Sequence, residues 1–418
     1  MAVSARRLGL MIRQPGALTK SIAIAGGITL VVTISACSSN NHSSTPAGLD
    51  TSAAQQYNND QYSSADAQAK TQLSPQPGTF LYGKSTVTTI ASTTPDNGDV
   101  NPYAIWPVTR DMGALHVGDV LVDNFNNKSN NQGTGTTIVN VHPDKSVSVF
   151  ASIPQNLSGC PGGVGLTTAM VVLTDGWVLV GSLPSTDGKI DTAGAGCLVA
   201  LNPNGQVGGT ISGDYLNGPW DAAVDDKGDT ATLFVTNTLN GVKDAGSKKV
   251  NQGNVVRLSL RQTPTTAPVV TGHTVIADSL PESQDASAFV KGPTGLALDA
   301  TGKLYIGDNL GNRIATVGNA ATRADSAGAG ATLTTGGQLA NPLGLALAPN
   351  GNILAANATN GKIVEVTPDG KQVGEYFANQ DVAQDPPGNG DLFDIAVNQT
   401  KDGIYFVNDD TNTLSLLH

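Results

Sequence analysis

Charge is scarce in this chain of 418 residues: Asp, Glu, Lys and Arg together make up 14 % of it, and glutamate occurs only as Glu282, Glu365 and Glu375. Cations are outnumbered, 23 against 34, giving a formal charge of −11. Such a surface repels phosphate backbones, so no nucleic-acid partner is expected. No long stretch keeps an apolar period of 3.6 residues, which turns the reading away from helices. The five histidines, His42, His116, His142, His273 and His418, and the three cysteines show no zinc-type spacing. There is no nucleophile elbow, no phosphate-binding glycine loop and no HExxH. What the chain does have is 49 glycines and 22 prolines, a profile that fits a turn-rich, all-β, exported protein.

The first 36 residues read as a leader. Arg6, Arg7, Arg13 and Lys20 precede an apolar run at 21–36 (SIAIAGGITLVVTISA) that is short for a membrane span. The run ends in Ile34-Ser35-Ala36-Cys37, which resembles the bacterial lipobox. That resemblance implies cleavage before Cys37, lipidation of its thiol and attachment at the cell envelope, on the periplasmic face or at the outer membrane. An ordinary signal peptide with a nearby cysteine is the alternative. Arg6-Arg7 leaves twin-arginine export open beside the general route. Removing residues 1–36 takes away four cations and no anions, so the formal charge falls from −11 to −15. Cys160 and Cys197 then remain, and in an oxidising compartment they are expected to pair. Residues 37–76 are rich in Ser, Asn, Gln, Ala and Asp and cannot bury enough apolar surface to offset ordering, so they read as a disordered tether.

From residue 77 to residue 418 apolar runs of four to six residues alternate with Asp-Gly, Asn-Gly and Pro-Asp-Gly turns. A unit best seen at 291–317 (KGPTGLALDATGKLYIGDNLGNRIATV) recurs. Its copies begin at 101, 167, 218, 291, 341 and 391. Strand, tight turn, strand, corner, strand, tight turn, strand is a four-stranded meander, the unit of a propeller blade. The last copy runs out at NTLSLLH, 412–418, one strand short. Residues 85–92 (STVTTIAS) belong to no complete copy and are expected to pair with it and close the ring. GPTGLAL and GDNLGNRI resemble the NHL repeat, and that resemblance implies an all-β, six-bladed β-propeller of antiparallel blades. It implies no single chemistry, since relatives include binding modules, lactonases and lyases.

Strand order sorts the connections by face. Turns between first and second strands, and between third and fourth, share one face; corners and blade links share the other. The tight turns fall on the first, at 174–176, 299–302, 348–351, 202–205 and 368–370. The expanded connections, at 126–135, 183–196, 240–253, 154–165, 280–291 and 378–390, are expected together on the second, which is therefore the candidate functional face.

Two constellations point there. Asn124, Ser182, Asn237, Asn309, Asn357 and Asp409 end the second strands, followed three residues on by Asn127, Ser185, Asn240, Asn312, Asn360 and Asn412. They read either as repeated corner chemistry or as a polar crown holding Ca²⁺ or another hard divalent cation, with Asp409, Asp123 and Asp308 supplying charge. The second set opens the inner strands: Tyr103, Thr168, Trp220-Asp221, Thr294, Leu343 and Phe393-Asp394. Asp221 and Asp394 sit in opposite blades and are candidates for an acid and base pair, or for gripping a cation or sugar hydroxyls; packing of Trp220 and Phe393 between blades is the structural reading. Gluconolactonase-type propellers, which the chain resembles in blade number, use a Glu/Asn/Asp metal site, and none of the three glutamates opens an inner strand. The amidating lyases of similar fold need several histidines, and none lies on these strands. The expectation is a monomer held to the membrane only through its lipid, binding a protein, glycan or small polar ligand on the long-loop face. The alternatives are a hydrolase or lyase using channel-mouth carboxylates, and an envelope scaffold with no small-molecule site.

Overall fold

Each repeat folds as an antiparallel meander, and the six meanders stand in a ring. The computed structural model describes residues 72–286, 288–379, 381 and 383–418; the expected leader, Cys37 and nearly all of the tether lie outside them. With strands A to D counted outward, blade 1 is Val100–Pro107, Val120–Asn126, Thr137–Val141 and Val147–Ser152. Blade 2 is Leu166–Val172, Val178–Ser182, Cys197–Leu201 and Val207–Ile211. Blade 3 is Pro219–Asp226, Thr230–Asn237, Val250–Thr263 and Thr266–Asp285, with Phe289–Lys291 added at its edge. Blade 4 is Pro293–Leu298, Leu304–Asp308, Arg313–Val317 and Ala331–Thr335. Blade 5 is Pro342–Leu347, Ile353–Asn357, Lys362–Val366 and Gln372–Phe377. Blade 6 has Leu392–Val397, Ile404–Asn408 and Thr413–Leu417, and its D strand is Val87–Ser92. The A strands touch in sequence from blade 1 to blade 6, and blade 6 touches blade 1, so the ring is closed.

Blade 4 shows why the sequence does this. After strand A the Asp299 carboxylate accepts the amides of Thr301 (2.8 Å) and Lys303 (3.0 Å), which folds the chain back. Gly302 completes that turn at φ +79°, where a side chain is strained. Strand B is buried on both faces because blades pack face to face, so it reads as a continuous apolar run rather than an alternating one. Leu304 and Ile306 pack toward Phe234, Val255 and Leu280 of blade 3. Tyr305, between them, packs toward Ile353 and Val364 of blade 5. Period two therefore deals alternate side chains to the two neighbouring blades.

Closure takes the expected form. Val87 pairs with Leu417 and Ser92 with Thr413, antiparallel, and Ser85 and Thr86 donate their amides to the His418 carbonyl. The preceding segment is docked as well. At the outer edge of blade 5 the Leu73 carbonyl accepts the Glu375 amide (2.9 Å) and the Leu73 amide donates to the Glu375 carboxylate (3.4 Å). Leu81 is fully buried against Ile363, Ile395 and Phe406, between blades 5 and 6. The Glu365 carboxylate lies beneath it and accepts the amides of Phe80 (2.8 Å) and Leu81 (2.9 Å) and the side-chain amides of Asn350 (2.9 Å) and Asn352 (2.7 Å).

The sorting of long connections by face is incomplete. Residues 108–119 (A to B in blade 1) and 318–330 (C to D in blade 4) are long and lie on the tight-turn face. The expected loop at 280–291 is instead mostly strand: D of blade 3 runs to Asp285, and Phe289–Lys291 turns back along it. That hairpin carries Phe289 inward to Phe125, with ring centroids 6.0 Å apart. At 240–253 the chain makes one short helix, Val242–Ala245, before strand C begins. The expanded connections at 126–135, 183–196, 154–165 and 378–390 do lie on the link face.

Candidate functional site

The inner strands enter from the link face, and their first side chains meet on the ring axis. Tyr103 stacks between Phe125 (centroids 4.6 Å) and Phe393 (4.4 Å), with Trp220 tilted beside it at 5.6 Å. With Phe289 and Val290 these rings fill the axis with apolar matter. The central channel is thus divided into a cavity on the link face and a depression on the tight-turn face, with no lining residue in common.

The link-face cavity has a volume of about 240 Å³. Trp220, Phe393, Leu343 and Val290 form its apolar side; Asp381, Gln384, Asn389, Asp409, Asp410 and Asn309 are among its polar groups. The polar side comes mainly from the link into blade 6 and from that blade's B–C corner. Lys291 also lines the cavity and is paired with Asp285 at 2.7 Å. Asp381, Asp391 and Asp410 gather there, with one carboxylate oxygen of each within 4.8 Å of the others. The Gln384 side-chain amide donates to Asp391 (2.6 Å) and Asp410 (2.5 Å), and Asn379 donates to the other Asp391 oxygen. Burial, and then the Asp410 charge, raises the Asp409 carboxyl to about 7.

Of the residues singled out from sequence, Trp220, Thr294, Leu343, Phe393, Asn309 and Asp409 come together in this cavity. Tyr103 is behind them in the aromatic stack, fully buried. Asn124, Asn237 and Asn357 are tied to incoming links: Asn124 donates to the Thr93 carbonyl (2.9 Å), Asn237 to that of Tyr215 (3.0 Å) and Asn357 to that of Gln338 (2.8 Å). Their geometry is that of corner chemistry. Neither proposed helper of Asp409 joins it. Asp123 is buried and accepts the Ala104 amide (2.8 Å), and Asp308 is paired with Arg313 (2.7 Å).

Asp221 and Asp394 line the other depression, below the rings. Each accepts two amides, one from its successor and one from the next inner strand. Asp221 takes Ala222 (2.7 Å) and Leu296 of blade 4 (2.7 Å). Asp394 takes Ile395 (2.8 Å) and Ile105 of blade 1 (3.0 Å). They fasten opposite seams of the ring. Burial raises the Asp394 carboxyl to about 7, and raises that of Asp221 well above the ordinary carboxylate range, with the Asp394 charge adding to it. A carboxyl whose native pKa is raised adds stability that is fully present below its unfolded value and is lost as pH rises through the native one. For Asp394 that window runs from near 3.8 to about 7. The melting temperature is therefore expected to fall between those limits, and Asp394→Asn to flatten the fall. Identical profiles for the two proteins would refute this assignment.

Sequence reading missed Asp381, Gln384, Asn389, Asp391 and Asp410. Four of them lie in the 378–391 connection, which carries no repeat signal. The tandem Asp409-Asp410 was a usable sign, since no other copy has two acids at that corner.

No protein-family model matches the sequence, and no curated relative is found by sequence. Among solved structures, a gluconolactonase from Xanthomonas campestris superposes with a TM-score of 0.50 at 13 % identity, covering 84 % of this chain and 95 % of that one. A luciferin-regenerating enzyme gives 0.50 at 11 % identity, covering 79 % and 94 %. At such identities the likeness is one of fold, and it agrees with the topology traced above: a six-bladed β-propeller with gluconolactonase-like structural neighbours.

Proposed function

We propose that this NHL-like propeller acts at the cell envelope, held by lipid on Cys37, as a hydrolase or lyase on a small polar ring compound bound in the link-face cavity. The observation that carries the reading is one cavity of about 240 Å³ with an aromatic wall, Trp220 and Phe393, facing carboxylates and amides. An aromatic face takes the apolar side of a sugar-sized ring while acids and amides take its hydroxyls. Asp409, where the aromatic and acidic walls share the cavity, is the acid–base group of this reading. Names of the structural neighbours, a gluconolactonase and a luciferin-regenerating enzyme, fit enzymatic use of such a cavity. Docking of a large partner on the long loops has less support. The exposed large apolar side chains among the described residues are Tyr82, Val87, Val117, Val147, Val149, Val207, Val269 and Val275. They lie in the N-terminal segment, on outer strands or on the tight-turn face, away from those loops.

The test is turnover of a panel of sugar lactones and glycosides by the full chain. Asp409→Asn should lower kcat/KM about 100-fold or more with the melting temperature little changed. Trp220→Phe should raise KM more than it lowers kcat. Absence of both turnover and saturable binding across the panel would overturn the reading; binding without turnover would return it to a ligand-binding protein.

A further inference from the structure

Carboxylates at the link-face cavity are arranged as a cluster, and an amide in contact with them has an oxygen without a partner. Asp381, Asp391 and Asp410 come from three places in the chain: near the start of the blade 5–6 link, its last residue before strand A, and the corner after strand B. Their oxygens nevertheless converge within 4.8 Å. Like charges at that range repel, and either a proton shared between two of them or a cation among all three relieves it. The described cation on the cavity wall, Lys291, is paired with Asp285.

Gln384 supplies the independent sign. It is 8 % exposed, and its amide is held inside the cluster by donation from Nε2 to Asp391 and Asp410. The Oε1 of that same amide is buried and has no hydrogen-bond partner. Asn389, 5 % exposed and lining the same cavity, has an unpartnered Oδ1 as well. Buried amide oxygens are ordinarily satisfied, and the Gln384 oxygen is orphaned on an amide already in contact with two of the carboxylates, which marks a place where a positive ligand belongs.

We propose that Asp381, Asp391 and Asp410 bind calcium, with the Gln384 amide turned over on binding so that Oε1 faces the ion where Nε2 now faces Asp391 and Asp410. Every donor is oxygen, and no histidine or cysteine takes part, which selects a hard cation over zinc or copper. Carboxylates from a long link and a corner suit the larger, geometrically tolerant ion better than magnesium, which demands a tight octahedron. The ion fixes the 378–391 link to blade 6 and so holds the cavity wall in place. The site shares Asp381, Gln384 and Asp410 with the cavity wall, and its test uses no substrate, so that it stands or falls apart from the turnover test.

The experiment is titration of chelator-treated full-length protein by calorimetry, repeated with terbium, whose emission tryptophan excitation sensitises through Trp220 on the same cavity. The wild type is expected to bind one calcium per chain, to melt several degrees higher in calcium, and to resist proteolysis within 378–391. Asp410→Asn, at an exposed position, and Asp391→Asn should each weaken binding by about tenfold or more. Asp325→Asn, remote from the cluster, should not. If Asp391→Asn fails to fold, Asp410→Asn decides alone. No binding at millimolar calcium, or equal binding by wild type and Asp410→Asn, would overturn the site.

Discussion

Deletion of residues 72–92 should leave a protein that no longer unfolds as one cooperative unit and that self-associates through blade 6. The deletion strips Thr413–Leu417 of the strand that covers it and presents its unpaired amides and carbonyls as a template for other chains. It also empties the site of Leu81 between blades 5 and 6 and leaves the Glu365 carboxylate buried without two of its four donors. Removing Leu81 alone costs about 2–5 kcal/mol, and an orphaned buried acceptor about 1–3 kcal/mol more. The sum approaches the whole stability of an ordinary domain, about 5–15 kcal/mol. Glu365→Ala offers a milder form of the same lesion with the strand retained, and should lower the melting temperature without causing association. Thermal melts and light scattering check both. A deletion protein that stays monomeric and melts at the wild-type temperature would show that the ring does not need its seal.

The second large effect is expected at Cys160 and Cys197, which are bridged. The bond ties the link that enters blade 2 to the start of that blade's C strand and closes a loop with a sequence separation of 37. Constraint of the unfolded chain by a loop of that size is worth about 3–4 kcal/mol in the chain-entropy account. Cys160→Ala with Cys197→Ala should therefore lower the unfolding free energy by that amount and shift the denaturant midpoint down, with a slope that steepens as the uncross-linked unfolded chain expands. Reductant should do the same to the wild type slowly, because Cys197 is fully buried. Coincident curves for oxidised wild type and double variant would remove the bridge from the stability account.

The parts of the fold that were legible in the sequence are those that physics repeats. Strands A and B are apolar runs joined by Asx-Gly turns, so their copies could be aligned and the missing last strand assigned to 85–92. Outer strands were harder. Val207–Ile211 and Ala331–Thr335 are half exposed, carry Gly or Thr, and lack the alternation that marks a buried edge. The long hairpin of blade 3 was read in part as loops because its polar residues face solvent over much of its length. The site was legible to the same degree. Trp220, Phe393 and Asp409 occupy repeat positions and were found; Asp381, Gln384 and Asp391 occupy none, and their neighbours arrive from elsewhere in the ring. Asp221 and Asp394 were recognised as an opposed pair, but sequence could not show that aromatic rings would separate them from the link face.

That wall of rings has an evolutionary corollary. Because Tyr103, Phe125, Trp220 and Phe393 block the axis, the molecule has two blind hollows instead of a pore, and nothing can thread from one side to the other. Substitutions that retune one hollow are shielded from its counterpart, so each can acquire or lose a ligand on its own schedule while the scaffold stays intact.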